Sequence, residues 1–503
     1  MNPRLTLVLT AVVIELVALS WWPAVHHLDA SEGASRLGGI FLQRHPFLSE
    51  FANALKTVVD WVFPGALWSW DALVTFTVHS FILAFVAYAI AAWRLTTERP
   101  PALRWILIPL ILFQVTLIAV PGSLTTDIFN YAIYGEMPVL YGANPFVNTP
   151  AEFPQSPLHY LIPLYWHDAP SVYGPFWILL STGVAALFRP FSLGDELLFY
   201  RVIANAAHFA NTMLIWGIAR RFDPDGRRAP SAALAYGWNP YLLLDFALNG
   251  HNDVLMLTLT LAALWLASTR RTYLSAFGLG LAVATKYTSV LIAPVLFLWS
   301  ARRGGSPISR RGVATLAVSG VILIATMAVL YAPWVQGIET FGPVLYWASG
   351  PRLQNFWPEP TLIALTSWIS AVLNLGYEEV WNPLFDGFKL AAKAALIGYI
   401  LVEAWRARTF DQVLGASARI TIVFLLFVNT WVMPWYYTWP LALAAPLGWG
   451  SMLVRMCAGL TLTAPIIMYQ RQFQYGIVGE WAGLFVVLPI AMVIAGAAAI
   501  TAK

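Results

Sequence analysis

The sequence predicts an all-α polytopic membrane protein, and three observations carry that prediction. Of its 503 residues, 59% are hydrophobic and only 11% are charged, against about 25% charged in an ordinary soluble chain. The mean hydropathy is +0.67. Apolar runs recur along the whole length, each near the roughly 20 residues that a helix needs to cross a ~30 Å hydrocarbon core.

Taken in order, runs suited to crossing lie near 5–24, 76–93, 105–121, 198–219, 230–247, 252–269, 312–333, 388–405, 419–433, 436–450, 452–469 and 481–499. The expectation is therefore about twelve transmembrane helices. The first run begins after Arg4 like a signal peptide, but Glu15 interrupts it and SWWPA is a poor cleavage site, so an uncleaved helix is expected. With the N-terminus in the cytoplasm, nineteen of the 29 lysines and arginines fall on the inner side, among them RLTTERPPALR, RRFDPDGRR, ARRGGSPISRR and WRAR with Arg419. Cytoplasmic loops collect Lys and Arg, so both termini are expected inside a cytoplasmic membrane. The long loops 25–75, 122–197 and 334–387 then face out.

Two apolar stretches fit only if they do not cross. Residues 273–300 have arginines on both flanks, so they should enter and leave on one face as two half-helices meeting near Lys286. The segment Gly174–Phe188 should stay on the outer side for the same reason. Irregular backbone at membrane depth survives only where protein or water satisfies it, so a break at Lys286 implies a polar cavity.

Composition also excludes. The net charge of +4 follows from the inner-loop bias and calls for no nucleic acid. The single cysteine, Cys457, precludes an intrachain disulfide and a thiolate zinc cluster. The sequence contains no GxxxxGK[ST], GxGxxG after a strand, HExxH or GxSxG, so soluble nucleotide chemistry has no support.

The chemistry-bearing residues gather in the outer loops. Asp127, in TTDIFNYAIYG, reads either as a helix cap shared with Thr126 or as a general base taking a proton from a bound hydroxyl. Tyr131 and Tyr134 follow one and two turns later, and GANP at 142–145 ends the helix. His167, Asp168 and Tyr173 precede the Gly174-Pro175 helix start, a structural position as much as a binding one. Asp245 lies inside an apolar run, and Asn249, His251, Asn252 and Asp253 cluster just beyond it. These four suit capping, packing or substrate contact. A divalent metal is compatible with them, but one short cluster offers too few ligands to favour it. Lys286 needs an acid such as Asp245 or Asp253, or an anionic ligand such as a lipid-borne phosphate. Arg352 and Arg471 are outer-face cations suited to the same phosphate or to snorkelling.

The ordered set TTDIFNYAIYGEMPVLYGANPF, SVYGPFW, WNPYLLLDFALNGHNDVL and LAVATKYTSVLIAP resembles the polyprenol-phosphate-mannose-dependent membrane mannosyltransferases of the bacterial alpha-1,6-mannopyranosyltransferase type, in the GT-C superfamily. The likeness covers about residues 76–333, continues more weakly to the C-terminus, and leaves 25–75 as an unmatched stretch or insertion. It implies a single GT-C membrane domain over 1–503, with 122–197 as the catalytic outer loop. By the same resemblance Asp127 is the general base and Lys286 holds the donor phosphate; Arg352, read from its outer-face charge, is a second cation for that phosphate. Tyr131, Tyr173, His251, Asn252 and Asp253 contact substrate. The donor is a polyprenyl-phosphate sugar, the acceptor a glycan or glycolipid hydroxyl outside, and the anomeric centre inverts. Thr126 stands where the family often has serine. Two other classes fit parts of the pattern: a secondary transporter using Asp245 and Lys286 at mid-depth, and a glycan ligase fed by a lipid diphosphate.

Overall fold

The computed structural model describes residues 2–31, 40, 46–62, 70–97, 101–223, 226–349 and 358–472. Arg352, the C-terminal crossing expected at 481–499 and parts of the 25–75 loop lie outside those residues. Every element named among the described residues is helical, as the composition predicts. The chain runs α1 Pro3–Ser31, α2 Pro46–Val62, α3 Trp70–Thr97, α4 Arg104–Ile118, α5 Asp127–Tyr141, α6 Pro175–Phe188, α7 Leu193–Arg221 and α8 Arg228–Gly237. It continues through α9 Asp253–Ser268, α10 Thr272–Thr285, α11 Ala293–Arg302, α12 Arg310–Tyr331, α13 Gly342–Ser349, α14 Pro358–Leu373, α15 Tyr377–Arg406, α16 Phe410–Val423, α17 Thr438–Ala444 and α18 Met452–Gln472.

Five stretches are by themselves long and apolar enough to cross a membrane: Pro3–Val25, Thr75–Thr96, Leu193–Arg221, Arg310–Trp334 and Phe410–Val428. Several of the other expected crossings are shorter or broken. The run 230–247 is α8, a kink at Trp238-Asn239, and a π-helical turn Leu243–Leu248. The run 436–450 contains only the short α17 between 3-10 turns. The helix expected at 419–433 starts earlier, at Phe410, where Thr409 and Gln412 form a capping box. Arg419 therefore lies within α16, paired with Glu403 at 2.6 Å, instead of in an inner loop.

Lipid offers no hydrophobic drive between helices, so their association leans on close packing and on interhelical hydrogen bonds averaging about 0.6 kcal/mol. Tyr88 Oη donates to Ala235 O at 2.6 Å, Trp238 Nε1 to Ile106 O at 2.9 Å, and Asn239 Nδ2 to Thr461 Oγ1 at 2.9 Å. Glu15 accepts a hydrogen bond from the Thr116 hydroxyl, which explains how a carboxyl sits in the first apolar run.

Side-chain contacts define two ends. At one, Arg303 donates to Ala267 O at 2.8 Å, Arg302 to Ala404 O and Ala407 O at 2.9 Å each, and Arg228 pairs with Asp411 at 2.7 Å. The contact of Arg303 with Ala267 brings the start of α10 and the finish of α11 together, so 273–300 does leave on the side it entered. The opposite end holds the smaller apolar cluster, in which Ile128, Tyr131, Trp177 and Tyr200 pack α5, α6 and α7 together. Neither α5 nor α6 has the length to cross, in keeping with the expectation that Gly174–Phe188 does not span the membrane.

Gly174 joins this cluster of α5, α6 and α7 to the hairpin. Its N–H donates to Thr285 O at 3.1 Å, and a Cβ there would lie 2.1 Å from Ala284 O. Only a residue without a side chain allows that approach.

Candidate active site

The approach to Asp127 is held from below by Arg201 of α7. This fully buried guanidinium donates to Ile118 O at 3.1 Å, Val120 O at 2.8 Å and Gly122 O. Asn249 Oδ1 accepts from Leu124 N at 3.0 Å. The chain then turns into α5 with Thr126 as the capping residue, and the Thr126 side chain makes no cap hydrogen bond. Asp127 is the first helical residue, and its own N–H is taken by Thr125 Oγ1 at 3.2 Å. The cap reading fails, leaving the carboxylate available and 20% exposed.

Facing it is the turn after the π-helical segment, where Gly250 takes φ +74°, a value that favours glycine. The turn swings His251 back so that Nδ1 lies 2.7 Å from Asp245 Oδ1 and Nε2 lies 3.7 Å from Asp127 Oδ2. The ring stacks on Trp435, 4.1 Å between centroids and 22° between planes. Asp245 and His251 are both fully buried.

Two residues further on, Asp253 opens α9. Its Oδ1 accepts from Lys286 Nζ at 2.8 Å and Trp439 Nε1 at 2.6 Å. Lys286 occupies the break between α10 and the following 3-10 turn in extended backbone, φ −152° and ψ 122°. Of its two candidate acids it pairs with Asp253, because His251 takes Asp245. The ammonium also lies 4.4 Å from the Tyr436 ring centroid and 5.1 Å from that of Trp439, a cation–π setting. Tyr131 Oη accepts from Asn252 N at 3.2 Å, and its ring meets Tyr173 at 5.1 Å and Trp177 at 4.9 Å.

Six of the seven other residues singled out for the site thus surround Asp127: Tyr131, Tyr173, His251, Asn252, Asp253 and Lys286. The seventh, Arg352, lies outside the described residues. No hydrogen bond, ion pair or ring contact joins His167 or Asp168 to this group; the His167 ring packs on His159 at 4.3 Å. Sequence reasoning missed Arg201 as the clamp on the loop before the acid. It also missed Trp435, Tyr436 and Trp439, which close the site from the C-terminal part of the chain. The signal was present in MPWYYTWP, a proline-started aromatic cluster between apolar runs.

Burial pushes the Asp127 carboxyl above the usual carboxylate range; His251 and Lys286 pull it back and Asp253 adds to the rise. Burial works against protonated His251, yet Asp245, by charge and hydrogen bond, followed by Asp127 and Asp253, holds its proton affinity above the ordinary histidine value. Three buried polar atoms here, Asp245 Oδ2, Asp253 Oδ2 and Asn252 Nδ2, have no hydrogen-bond partner. Buried polar groups usually find one, so these suit a ligand or water. No group of three or more His, Cys, Asp or Glu side chains suited to a metal ion occurs among the described residues. Chemically, the arrangement offers a carboxylate backed by an imidazole, a nearby ammonium and an aromatic wall.

Comparison with known proteins matches residues 33–302 to the family described as alpha-(1->6)-mannopyranosyltransferase, N-terminal domain, and residues 173–433 to glycosyltransferase family 87. Among curated relatives, alpha-(1->6)-mannopyranosyltransferase A of Mycobacterium tuberculosis is 28% identical over 366 residues, covering 70% of this chain and 66% of its own length. The protein of that name from Corynebacterium glutamicum is 22% identical, covering 69% of this chain and 72% of its own length. A probable alpha-(1->6)-mannopyranosyltransferase of Mycolicibacterium smegmatis is 24% identical, over 66% and 63%. The aligned region thus spans about two thirds of these relatives. Each family match covers more than half of the chain, and on that ground the protein belongs to the alpha-(1->6)-mannopyranosyltransferase family and to glycosyltransferase family 87.

Proposed function

We propose that the protein is a membrane mannosyltransferase that moves a mannosyl group from a polyprenyl-phosphate donor to a hydroxyl of a glycan or glycolipid on the outer face. Residues 1–503 act as one membrane domain, with 122–197 as its catalytic loop. The observation that carries this reading is the partly exposed Asp127 carboxylate, with the buried His251 beside it and the Asp253–Lys286 pair beyond. Asp127 takes the acceptor proton as the acceptor oxygen attacks C1. The bond from C1 to the phosphate oxygen breaks, its electron pair leaves with the phosphate, and a beta-linked donor gives an alpha-linked product.

The leaving charge is met by Lys286, whose ammonium has three N–H donors and spends one on Asp253. Arg352 serves the same phosphate. Electrostatic stabilisation of developing charge is commonly the largest catalytic contribution. Tyr131, Tyr173, His251, Asn252 and Asp253 shape the sugar-binding surface, and the lipid arrives from the bilayer.

The test is transfer from labelled polyprenyl-phosphate mannose to a soluble glycan by purified protein in lipid, wild type against Asp127→Asn. Transfer by wild type alone supports both the activity and the base. Equal transfer by both removes Asp127 from that role. Uptake of a solute into vesicles without turnover of the lipid donor favours a transporter, and release of a polyprenyl diphosphate favours a ligase. Turnover with and without a chelator decides whether a divalent ion takes part.

A further inference from the structure

Asp245 is the acid that the general-base reading does not use. It is fully buried at the end of an apolar run, with one oxygen on His251 Nδ1 at 2.7 Å and the other without a partner. A carboxylate at such depth is costly and tends to mark function. Because the carboxylate accepts, Nδ1 carries the hydrogen. Nε2 is then directed at Asp127 Oδ2, 3.7 Å away, and at Thr125 Oγ1, 3.4 Å away. Stacking on Trp435 holds the ring plane. A second contact, from the Asp127 N–H to Thr125 Oγ1 at 3.2 Å, brings the hydroxyl against both residues.

From this geometry we infer that Asp245 and His251 form a proton relay behind Asp127. The inference rests on the general-base reading above and deepens it. Asp245 is a positioning residue, which keeps the imidazole turned with Nε2 toward the base. After Asp127 has taken the acceptor proton, the proton passes from its carboxyl oxygen to His251 Nε2. The carboxylate is restored, the imidazolium sits against Asp245, and once products leave the proton returns to water by way of Asp127, the one partly exposed group of the three. No electrons change hands beyond the pair that departs with the phosphate. A gap of 3.7 Å is longer than a hydrogen bond, but catalytic contacts commonly tighten only with substrate bound. The charged groups around the ring are Asp245 from the π-helical turn, Asp127 from α5, and Asp253 with its partner Lys286 from α9 and the hairpin break.

The test compares full-length wild type, Asp245→Asn, His251→Gln and Asp127→Asn in lipid, following mannosyl transfer from the polyprenyl-phosphate donor against pH. Asp245→Asn should lower kcat by roughly 10²-fold, the range for one acid–base contribution, leave the acceptor KM nearly unchanged, and move the acidic limb of the profile to lower pH, because a charge that raises the proton affinity of His251 is gone. A limb that stays in place while kcat falls would show a merely structural role and overturn the relay. Full activity in Asp127→Asn would remove the base itself, a failure distinct from the first. The ¹⁵N-histidine spectrum gives a readout independent of turnover: one ring, identified by its loss in His251→Gln, should be protonated at Nδ1 in wild type. In Asp245→Asn that ring should become a tautomer mixture. An unchanged ring in Asp245→Asn also overturns the relay.

Discussion

Lys286 Nζ lies 2.8 Å from Asp253 Oδ1, so the break in the hairpin is tied to the first turn of α9 by a mostly buried ion pair. Removing one partner of such a pair leaves an uncompensated charge and costs about 3–5 kcal/mol. Lys286→Met should therefore lower the unfolding midpoint in detergent clearly. The double change Lys286→Met with Asp253→Asn should recover a large part of the loss while transfer stays abolished. A double variant no more stable than either single one would deny the pair its structural role.

The pH profile has a sign fixed by the site. Asp127 works as a base when deprotonated, and its carboxyl is held above the usual range by burial, with Asp253 adding to the rise. As pH falls, activity should be lost above the ordinary Asp value of about 3.9. Asp253→Asn removes a raising charge and frees Lys286, so its residual activity should persist to lower pH than in wild type. Measuring kcat/KM against pH for both proteins checks the direction.

Gly174→Ala should misassemble the cluster of α5, α6 and α7. The new Cβ would meet backbone at 2.1 Å, so the loop before α6 must pull away from the hairpin and lose the bond to Thr285. The expected outcome is a transfer rate down by at least about tenfold, equivalent to 1.4 kcal/mol of transition-state misplacement. Affinity for an acceptor glycan, measured by titration, should weaken with it.

The topology has a direct check, because Cys457 is the single cysteine and is buried. In a Cys457→Ser background, a cysteine at the exposed Ser306 should react with an impermeant maleimide only after the inner face is opened. Labelling from outside intact cells would reverse the orientation argued from the arginines.

Much of this was legible in the sequence. The hairpin at 273–300 followed from arginines on both flanks, and the contact of Arg303 with Ala267 bears it out. The grouping of Asp127, Tyr131, Tyr173, the GHND turn and Lys286 was readable because each lies at a polar interruption in apolar sequence. Arg201 was less readable: its partners are backbone carbonyls some 80 residues away, which leave no pattern in side-chain type. The late aromatics Trp435, Tyr436 and Trp439 were hidden by an apolar run taken as a full crossing, whereas Pro434 starts a 3-10 turn there. The pairing of Arg419 with Glu403 shows the same limit, since a cation inside a helix reads as a boundary until its acid partner is seen.

The hydrogen bond from Gly174 to Thr285 has a mechanical consequence. Tyr173 and Lys286 are the immediate neighbours of its two ends, so the tyrosine wall and the ammonium are two teeth of one gear. A displacement of the hairpin tip must therefore either be shared by the loop that carries the tyrosine or break that hydrogen bond.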